Sequence, residues 1–152
     1  LMELVGEGAK VAELQGVPGA SATIDRGAGF HQVADQSLQV AASQTANFNR
    51  AEGMTVMENI LQSDGTIKGV FAHNDEMALG AVEAVAASGK DIKIVGFDAT
   101  DDAQKAVKDG KMAATVAQKP DKMGETAIGT AVKIMAGETV EKSIPVEVEL
   151  IK

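Results

Sequence analysis

The chain has 152 residues, of which 45% are hydrophobic and 24% are charged, a composition that is typical of one globular domain and excludes disordered, collagen-like and coiled-coil classes. The net charge is -8 and the 14 lysines and arginines are scattered singly, so no basic face is available for nucleic acid or an anionic membrane. The absence of cysteine excludes disulfides, thiolate metal sites and cysteine nucleophiles.

The first residues, Leu1 to Val5, resemble the end of a helix, because Gly6 and Gly8 follow an apolar cluster. Because the beginning of this helix is absent, we expect the sequence to be a piece of a longer protein. The first residues also lack the basic and apolar regions of a signal peptide, so either the protein is cytosolic or its front has been removed. Six segments further along favour extended structure and predict strands. These are Lys10 to Leu14, Leu38 to Ala42, Ile67 to Ala72, Ile92 to Phe97, Met112 to Ala117 and Pro145 to Ile151.

Helical patterns lie between the predicted strands. They cover Gly29 to Gln36, Glu52 to Gln62, Glu76 to Ala87, Asp102 to Asp109 and Asp121 to Met135. Apolar residues share one face in three of these helices, which predicts that this face is buried. The sets are Met57, Ile60 and Leu61, then Ala78, Val82 and Val85, and finally Ala127, Ala131 and Ile134.

Residues that begin or end helices agree with this division. Asp75 and Asp101 stand where N-caps are expected, and Pro120 suits a first helical turn. Helix ends are predicted at Gly89, Gly110 and Gly137. Strands that alternate with single helices cannot be joined by hairpins. The sequence therefore predicts an α/β fold, a doubly wound parallel sheet with helices on both faces.

Polar and aromatic residues cluster just after the predicted strands, at the edge where open α/β sheets bind ligands. The set contains one guanidinium, two of the four phenylalanines, two amides and one carboxylate: Arg26, Phe48, Asn74, Phe97, Asp98 and Gln118. Carboxylates, guanidinium groups and amides can each bond two neighbouring hydroxyls, and aromatic rings match the flat C–H faces of a sugar. The set therefore favours a neutral polyol over a phosphate.

Five segments, taken in order, carry a family resemblance: Lys10 to Gly16, Asp25 to Phe30, Phe71 to Ala81, Val95 to Asp98 and Ala114 to Pro120. They resemble ribose-binding proteins of bacterial ABC importers, and the resemblance covers essentially the whole chain. It implies the carboxyl-terminal lobe of a two-lobed periplasmic protein, with the six residues above in its pocket. The implied partners are D-ribose or a related monosaccharide, the missing amino-terminal lobe and an ABC permease. The resemblance implies no enzyme activity, cofactor, metal or nucleic acid.

The resemblance also divides the chain. Residues 1–118 would form the sugar-binding lobe, and residues 119–152 would supply a hinge crossing plus a helix and strand that pack with the missing lobe. Because one wall of the pocket is missing, we expect the isolated chain to bind ribose no better than about millimolar. We also expect the last helix and strand either to dock onto the edge of the lobe's own sheet or to pair two chains as a homodimer.

Other interpretations of the same residues remain open at this stage. Phe97 and Asp98 could be a buried strand end and a helix cap, Asn74 a turn residue, and Arg26 a solvated surface residue. At the level of the protein, the first alternative is the effector-binding core of a sugar-responsive transcription repressor of the LacI type, which would carry a helix-turn-helix segment upstream. The second is a nucleotide-dependent enzyme, which the missing phosphate loop argues against.

Overall fold

The computed structural model describes residues 1–152 and contains one six-stranded sheet. In chain order the elements are α1 (Met2–Val5), β1 (Lys10–Gln15), α2 (Ser21–Ser37), β2 (Gln39–Thr45), α3 (Arg50–Ser63), β3 (Gly69–Ala72), α4 (Asp75–Ser88), β4 (Lys93–Asp98), α5 (Asp101–Lys108), β5 (Ala114–Ala117), α6 (Pro120–Met135) and β6 (Glu149–Ile151). The strand order is β2-β1-β3-β4-β5-β6. Helices lie on both faces of this sheet, as predicted.

Strands β1 to β5 pair in parallel, whereas β6 pairs with β5 in the antiparallel direction. The predicted parallel sheet is therefore confirmed for five strands and is wrong for the sixth. That strand is also shorter than the predicted Pro145 to Ile151, since only Glu149–Ile151 joins the ladder. No helix runs directly into β6, because α6 ends at Met135 and residues 136–148 lead back to the sheet. The right-handed crossover that enforces parallel pairing is thus absent here.

One face of the sheet carries the main core. Alternate strand residues such as Leu14, Val70 and Ile94 are buried there under α3, α4 and α5. The predicted face of Met57, Ile60 and Leu61 in α3 is buried in this core, and so are Ala78 and Val85 of α4, with Val82 partly buried against them. None of the helices combines the length and the apolar character that crossing a bilayer requires.

The other face is covered by α1 and α2 over only part of its width. Phe30 of α2 stacks on Phe71 of β3, with ring centroids 5.1 Å apart. Beyond this stack lies an open apolar groove of about 670 Å³, whose floor includes Val95, Val116 and Leu150. This second face is therefore less completely buried than the first.

Helix α2 begins at Ser21 and not at the predicted Gly29, so Arg26 lies on a helix and not in a loop. The sequence hides this start for two reasons. The N-cap residue, Ala20, has no side chain that can cap the helix, and Gly27 and Gly29 are weak helix formers. Gly27 is buried, and a Cβ there would lie 3.3 Å from Cε1 of His73. Packing of α2 against β3 therefore overrides the local preference.

The predicted N-caps Asp75 and Asp101 are wrong by one residue. The Asn74 side chain accepts a hydrogen bond from the Met77 N–H at 3.0 Å, and Thr100 accepts from the Ala103 N–H at 3.3 Å. Asp75 and Asp101 therefore occupy the first helical turn. The other predicted boundary residues, Pro120 and three glycines, are confirmed. Pro120 lies in the first turn of α6, and Gly89, Gly110 and Gly137 follow helices with left-handed φ angles.

Helix α6 buries no residue, so the predicted burial of Ala127, Ala131 and Ile134 is wrong for this chain taken alone. Ile134 is 57% exposed. The helix stands away from the core, and Ile144 and Val146 of the segment that follows line a groove beside its apolar side without burying it. The periodic pattern is present, but no element of this chain buries the apolar side of α6.

Helices α3 and α4 approach each other through glycines. A Cβ on Gly80 would lie 2.1 Å from the Arg50 carbonyl oxygen, and one on Gly53 would lie 2.7 Å from Cα of Met77. The two backbones are thus in direct contact. This contact fixes the relative positions of the loops that lead into α3 and α4.

A buried hydrogen bond between a carboxylate and an imidazole joins β1 to the residue that follows β3. Oε1 of Glu13 and Nε2 of His73 are 2.8 Å apart, and both side chains are fully buried. Burial alone would raise the pKa of Glu13, but hydrogen bonds from His73, Ser43 and Gln15 outweigh burial and lower this pKa from 4.5 to about 2. The carboxylate is therefore strongly stabilised in its ionised form.

We expect Gly80→Ala to lower the free energy of unfolding by about 3 kcal/mol, because the added methyl group meets backbone atoms that cannot move aside. Denaturant titration measures this loss. Gly29→Ala is the matched control, since Gly29 lies on an exposed part of α2 with no atom near its Cβ position. The control should gain up to about 1 kcal/mol from its higher helix propensity. Equal effects of the two substitutions would contradict the glycine contact.

The lowered pKa of Glu13 predicts a pH-dependent contribution to stability. A carboxyl group whose folded pKa lies below its unfolded pKa stabilises the fold above the unfolded value, and this stabilisation is lost as pH falls. For Glu13, about 2 kcal/mol should disappear between pH 6 and pH 3. Glu13→Gln should therefore unfold with a shallower pH dependence than the unmodified chain over this interval. Denaturant titrations at each pH give the free energy of unfolding of both proteins. If this free energy changes with pH equally in the two proteins, the lowered pKa of Glu13 is contradicted.

Candidate functional site

The six residues singled out from the sequence lie at the carboxyl-terminal edge of the sheet. Phe97 and Asp98 end β4, Gln118 follows β5, and Asn74 lies between β3 and α4. Phe48 is in the loop between β2 and α3, while Arg26 is in the second turn of α2. Four strand ends and the start of one helix thus place side chains at one edge, as the topology of a parallel sheet requires.

Four of the six side chains are in direct contact. The Arg26 guanidinium lies over the Phe97 ring, 4.0 Å from the ring centroid. Its Nη2 donates to Oδ1 of Asp98 at 3.3 Å, and Nε2 of Gln118 donates to the same oxygen at 2.7 Å. The Arg26 and Asp98 side chains retain 14% and 29% exposure, so both are largely covered yet reachable from solvent. These contacts bring a planar cationic group, a carboxylate, an amide and an aromatic ring together on one surface.

The other two residues join this group through the backbone of β3. Nη1 of Arg26 donates to the carbonyl oxygen of His73, the residue before Asn74. The Asn74 side chain in turn donates from Nδ2 to the carbonyl oxygen of Phe48 at 3.2 Å. The six residues therefore form one connected set, and no member lies on another side of the molecule.

Asn74 has two structural roles at this edge. Its Oδ1 caps α4 and its Nδ2 holds the Phe48 carbonyl, so the plain interpretation of Asn74 as a residue that begins a helix is confirmed. One N–H of the amide remains available to a ligand, because Nδ2 has two hydrogens and makes one bond.

The Phe48 ring packs on a glycine. A Cβ on Gly16 would lie 2.0 Å from Cζ of Phe48, so only glycine leaves room for the ring. Phe48 and Asn47 both have left-handed φ angles, 60° and 52°, which turn the chain sharply after β2. The ring is half-buried, and it is held at the edge of the sheet by contact with the β1 backbone turn.

The charges at the site are only partly compensated. Burial raises the pKa of Asp98 and the nearby Asp75 charge adds to this effect, while Arg26 and Gln118 oppose both. Oδ2 of Asp98 accepts no hydrogen bond from the protein, whereas Oδ1 accepts two. A hydroxyl donated to this oxygen would stabilise the ionised form. The arrangement thus suits neighbouring hydroxyl groups that can donate to Asp98 and accept from Arg26.

Four residues beneath the site were not assigned to it from the sequence. Asp75, Thr115, Glu13 and His73 are all fully buried, and each is hydrogen-bonded to another member of the four or to the chain next to it. Glu13 could have been noticed as a single charge inside an apolar strand. Thr115 offers no comparable signal, since threonine is ordinary in a strand. No group of three or more His, Cys, Asp or Glu is placed to hold a metal ion.

Comparison with known proteins supplies the family. A model of the periplasmic binding protein domain matches residues 1–139. The chain is 55% identical over 150 residues to a ribose import binding protein of Bacillus subtilis, a match that covers 99% of this chain and 49% of that protein. It is 51% identical over 148 residues to the ribose import binding protein of Escherichia coli, over 96% of this chain and 50% of that protein.

A solved structure gives the same answer. The periplasmic solute-binding protein of an Actinobacillus succinogenes ABC transporter, determined with bound D-allose, superposes with a TM-score of 0.93 at 33% identity. The superposition covers 99% of this chain and 55% of that protein. The chain spans about half the length of the curated relatives it matches. The resemblance found from the motifs is thus confirmed, and the chain belongs to the periplasmic binding protein domain family.

Proposed function

We propose that this chain is the sugar-binding lobe of an ABC-importer solute-binding protein and that its ligand is a monosaccharide, D-ribose first. The observation that carries the proposal is the contact of Arg26 with Phe97 and Asp98, completed by Gln118. Such a group offers donors and acceptors at fixed spacing beside a rigid ring, which is what a sugar face requires. The names of the relatives, two of them ribose import binding proteins, support ribose among the sugars.

Each pocket residue has a role in this proposal. Arg26, Asp98 and Gln118 bond the sugar hydroxyls, and Asn74 contributes its free N–H. Phe48 and Phe97 support the apolar face of the ring. The site is a binding wall in which no bond is made or broken. D-ribose is released unchanged when the protein opens.

We further propose that residues 1–118 form this lobe and that residues 119–152 carry the crossing, helix and strand that pack with an amino-terminal lobe. The exposed apolar side of α6 supports this division, because Ile128, Val132 and Met135 are 70%, 60% and 87% exposed. In such a protein, closure of the two lobes around the sugar presents one shape to an ABC permease. The family of the relatives supports a periplasmic location.

A repressor effector core remains the second candidate by fold alone, because the two classes share the α/β layer. The relatives that match this chain at 51 to 55% identity are import binding proteins, and this favours transport. We also propose that a homodimer of this chain would form through α6 and not through β6. Strand β6 already pairs with β5 within the chain, so the terminal helix is the surface that a second copy would use.

We expect the isolated chain to bind D-ribose no better than about millimolar, because one wall of the pocket lacks its counterpart. Isothermal titration calorimetry measures this affinity. The comparison protein is a chimaera in which this chain is joined to the part of the Bacillus subtilis relative that it does not match. The chimaera should bind ribose at least about a hundredfold more tightly. Micromolar binding by the isolated monomer would contradict the half-site account.

In the chimaera, Asp98→Ala should weaken ribose binding by more than about 2 kcal/mol, or about thirtyfold, because it leaves sugar hydroxyls and Arg26 without their acceptor. Asp101→Ala is the matched control, since Asp101 is an exposed carboxylate three residues away in the first turn of α5. Calorimetric titration with D-ribose measures the affinity of both variants. An Asp98→Ala affinity equal to that of the control would remove Asp98 from the pocket.

A further inference from the structure

The backbone at the end of β4 has an unusual conformation. Asp98 and Ala99 have φ angles of 124° and 56°, in a region that residues with a side chain rarely adopt. Such a conformation persists only where the surrounding structure holds it. The Asp98 carboxylate extends from this turn and accepts hydrogen bonds from Arg26 and Gln118.

Two buried side chains hold the turn from beneath. The Ala99 N–H donates to Oγ1 of Thr115 at 3.2 Å, and this hydroxyl donates its own hydrogen to Oδ1 of Asp75 at 2.7 Å. Oδ2 of Asp75 accepts from the Thr100 N–H at 2.8 Å and from its Oγ1 at 3.3 Å. The two N–H groups that follow Asp98 are therefore both satisfied by one carboxylate and one hydroxyl.

The position of these side chains excludes contact with a ligand. Asp75 and Thr115 are both 0% exposed. A Cβ on Gly96 would lie 2.3 Å from Oδ1 of Asp75, so the carboxylate lies directly against the β4 backbone. The hydrogen bonds of the pair therefore reach the surface of the sheet edge through the backbone of residues 98 to 100.

We propose that Asp75 and Thr115 are positioning residues that aim the Asp98 carboxylate and thereby help to set which sugars bind. The inference rests on the proposed function for its effect on sugars, but the aiming of Asp98 is a property of the chain itself. A rigidly aimed carboxylate discriminates between epimers, because a hydroxyl of the wrong configuration leaves it unpaired in a covered site. A carboxylate on a loosened turn can move to accept a hydrogen bond from either epimer, so it discriminates less between them.

The test uses Thr115→Val, which keeps the shape of the side chain and removes the hydroxyl, together with Thr115→Ser, which keeps the hydroxyl. In the chimaera, Thr115→Val should weaken ribose binding about tenfold and reduce the ratio of affinities for D-ribose and its epimer D-arabinose. Thr115→Ser should restore both quantities to within about threefold of the unmodified protein. Calorimetry with each sugar gives the affinities.

A second readout needs no sugar. In the isolated chain, the side-chain amide of Gln118 reports its hydrogen bond to Asp98 in ¹H–¹⁵N NMR spectra, and Thr115→Val should shift this resonance toward the position of a free amide. Thr115→Ser should leave it in place. If no chimaera binds sugar but the resonance shifts, the proposed function fails while the positioning role stands. A resonance that Thr115→Val leaves unmoved overturns the positioning role.

Loss of stability alone must also be distinguished. Ile67→Ala removes a buried side chain ahead of β3, at the opposite edge of the sheet, and serves as a control of reduced stability. At a temperature where all variants are folded, the control should keep the ribose affinity and sugar ratio. If Thr115→Val also leaves the ribose affinity and the ratio of the two sugar affinities unchanged, Asp75 and Thr115 stabilise the fold and do not position Asp98. Should Thr115→Val fail to fold, Asp75→Ala takes its place, because alanine has no acceptor for the Thr100 N–H or the Thr115 hydroxyl, and unchanged affinities overturn the proposal in the same way.

Discussion

The candidate site depends on the two-sided contact of a single guanidinium. Arg26 donates to the His73 carbonyl on one side and to Asp98 on the other, while its plane covers Phe97. Arginine suits this position because its donors are fixed in a plane and its charge persists at all relevant pH values. The position of α2 decides where this group lies, and α2 can approach β3 closely because Gly27 has no side chain. Arg26 thus links α2 to the ends of β3 and β4 and to the Phe97 ring.

The rigid parts beneath the site are polar, although most of the core is apolar. Glu13 with His73, and Asp75 with Thr115, are two fully buried groups under the edge that bears Arg26 and Asp98. Buried ionic groups add little net stability compared with apolar packing, but a fully bonded group permits only one geometry. The glycine contact between α3 and α4 adds to this rigidity, since it locks the loops that carry Phe48 and Asn74. Precision at the edge therefore derives from buried polar contacts and from close backbone approach.

Sequence reasoning predicted most of the fold and the placement of the six candidate residues at one edge of the sheet, for physical reasons that differ between elements. Apolar periodicity located α3 and α4 because their buried faces obey the helical repeat. It failed for the start of α2, where two glycines and an uncapped Ala20 hide a helix that tertiary packing imposes. It also failed for the direction of β6 and the burial of α6, since both depend on contacts distant in sequence and not on the local apolar pattern. The six site residues could be chosen because strand ends share an edge, whereas Thr115 and Asp75 act through contacts that no local pattern reports.

The antiparallel return of β6 has a mechanical consequence. The chain departs from the sheet after β5 and comes back in the strand beside it, with Ala117 opposite Glu149 in the ladder. Nζ of Lys119 and Oε2 of Glu149 are 3.5 Å apart, which brings the two connections together again just beyond the sheet. The residues between the two strands, α6 and the segment that follows it, are thus anchored at two neighbouring points of one ladder. Any displacement of this segment away from the sheet would have to break the β5–β6 hydrogen bonds.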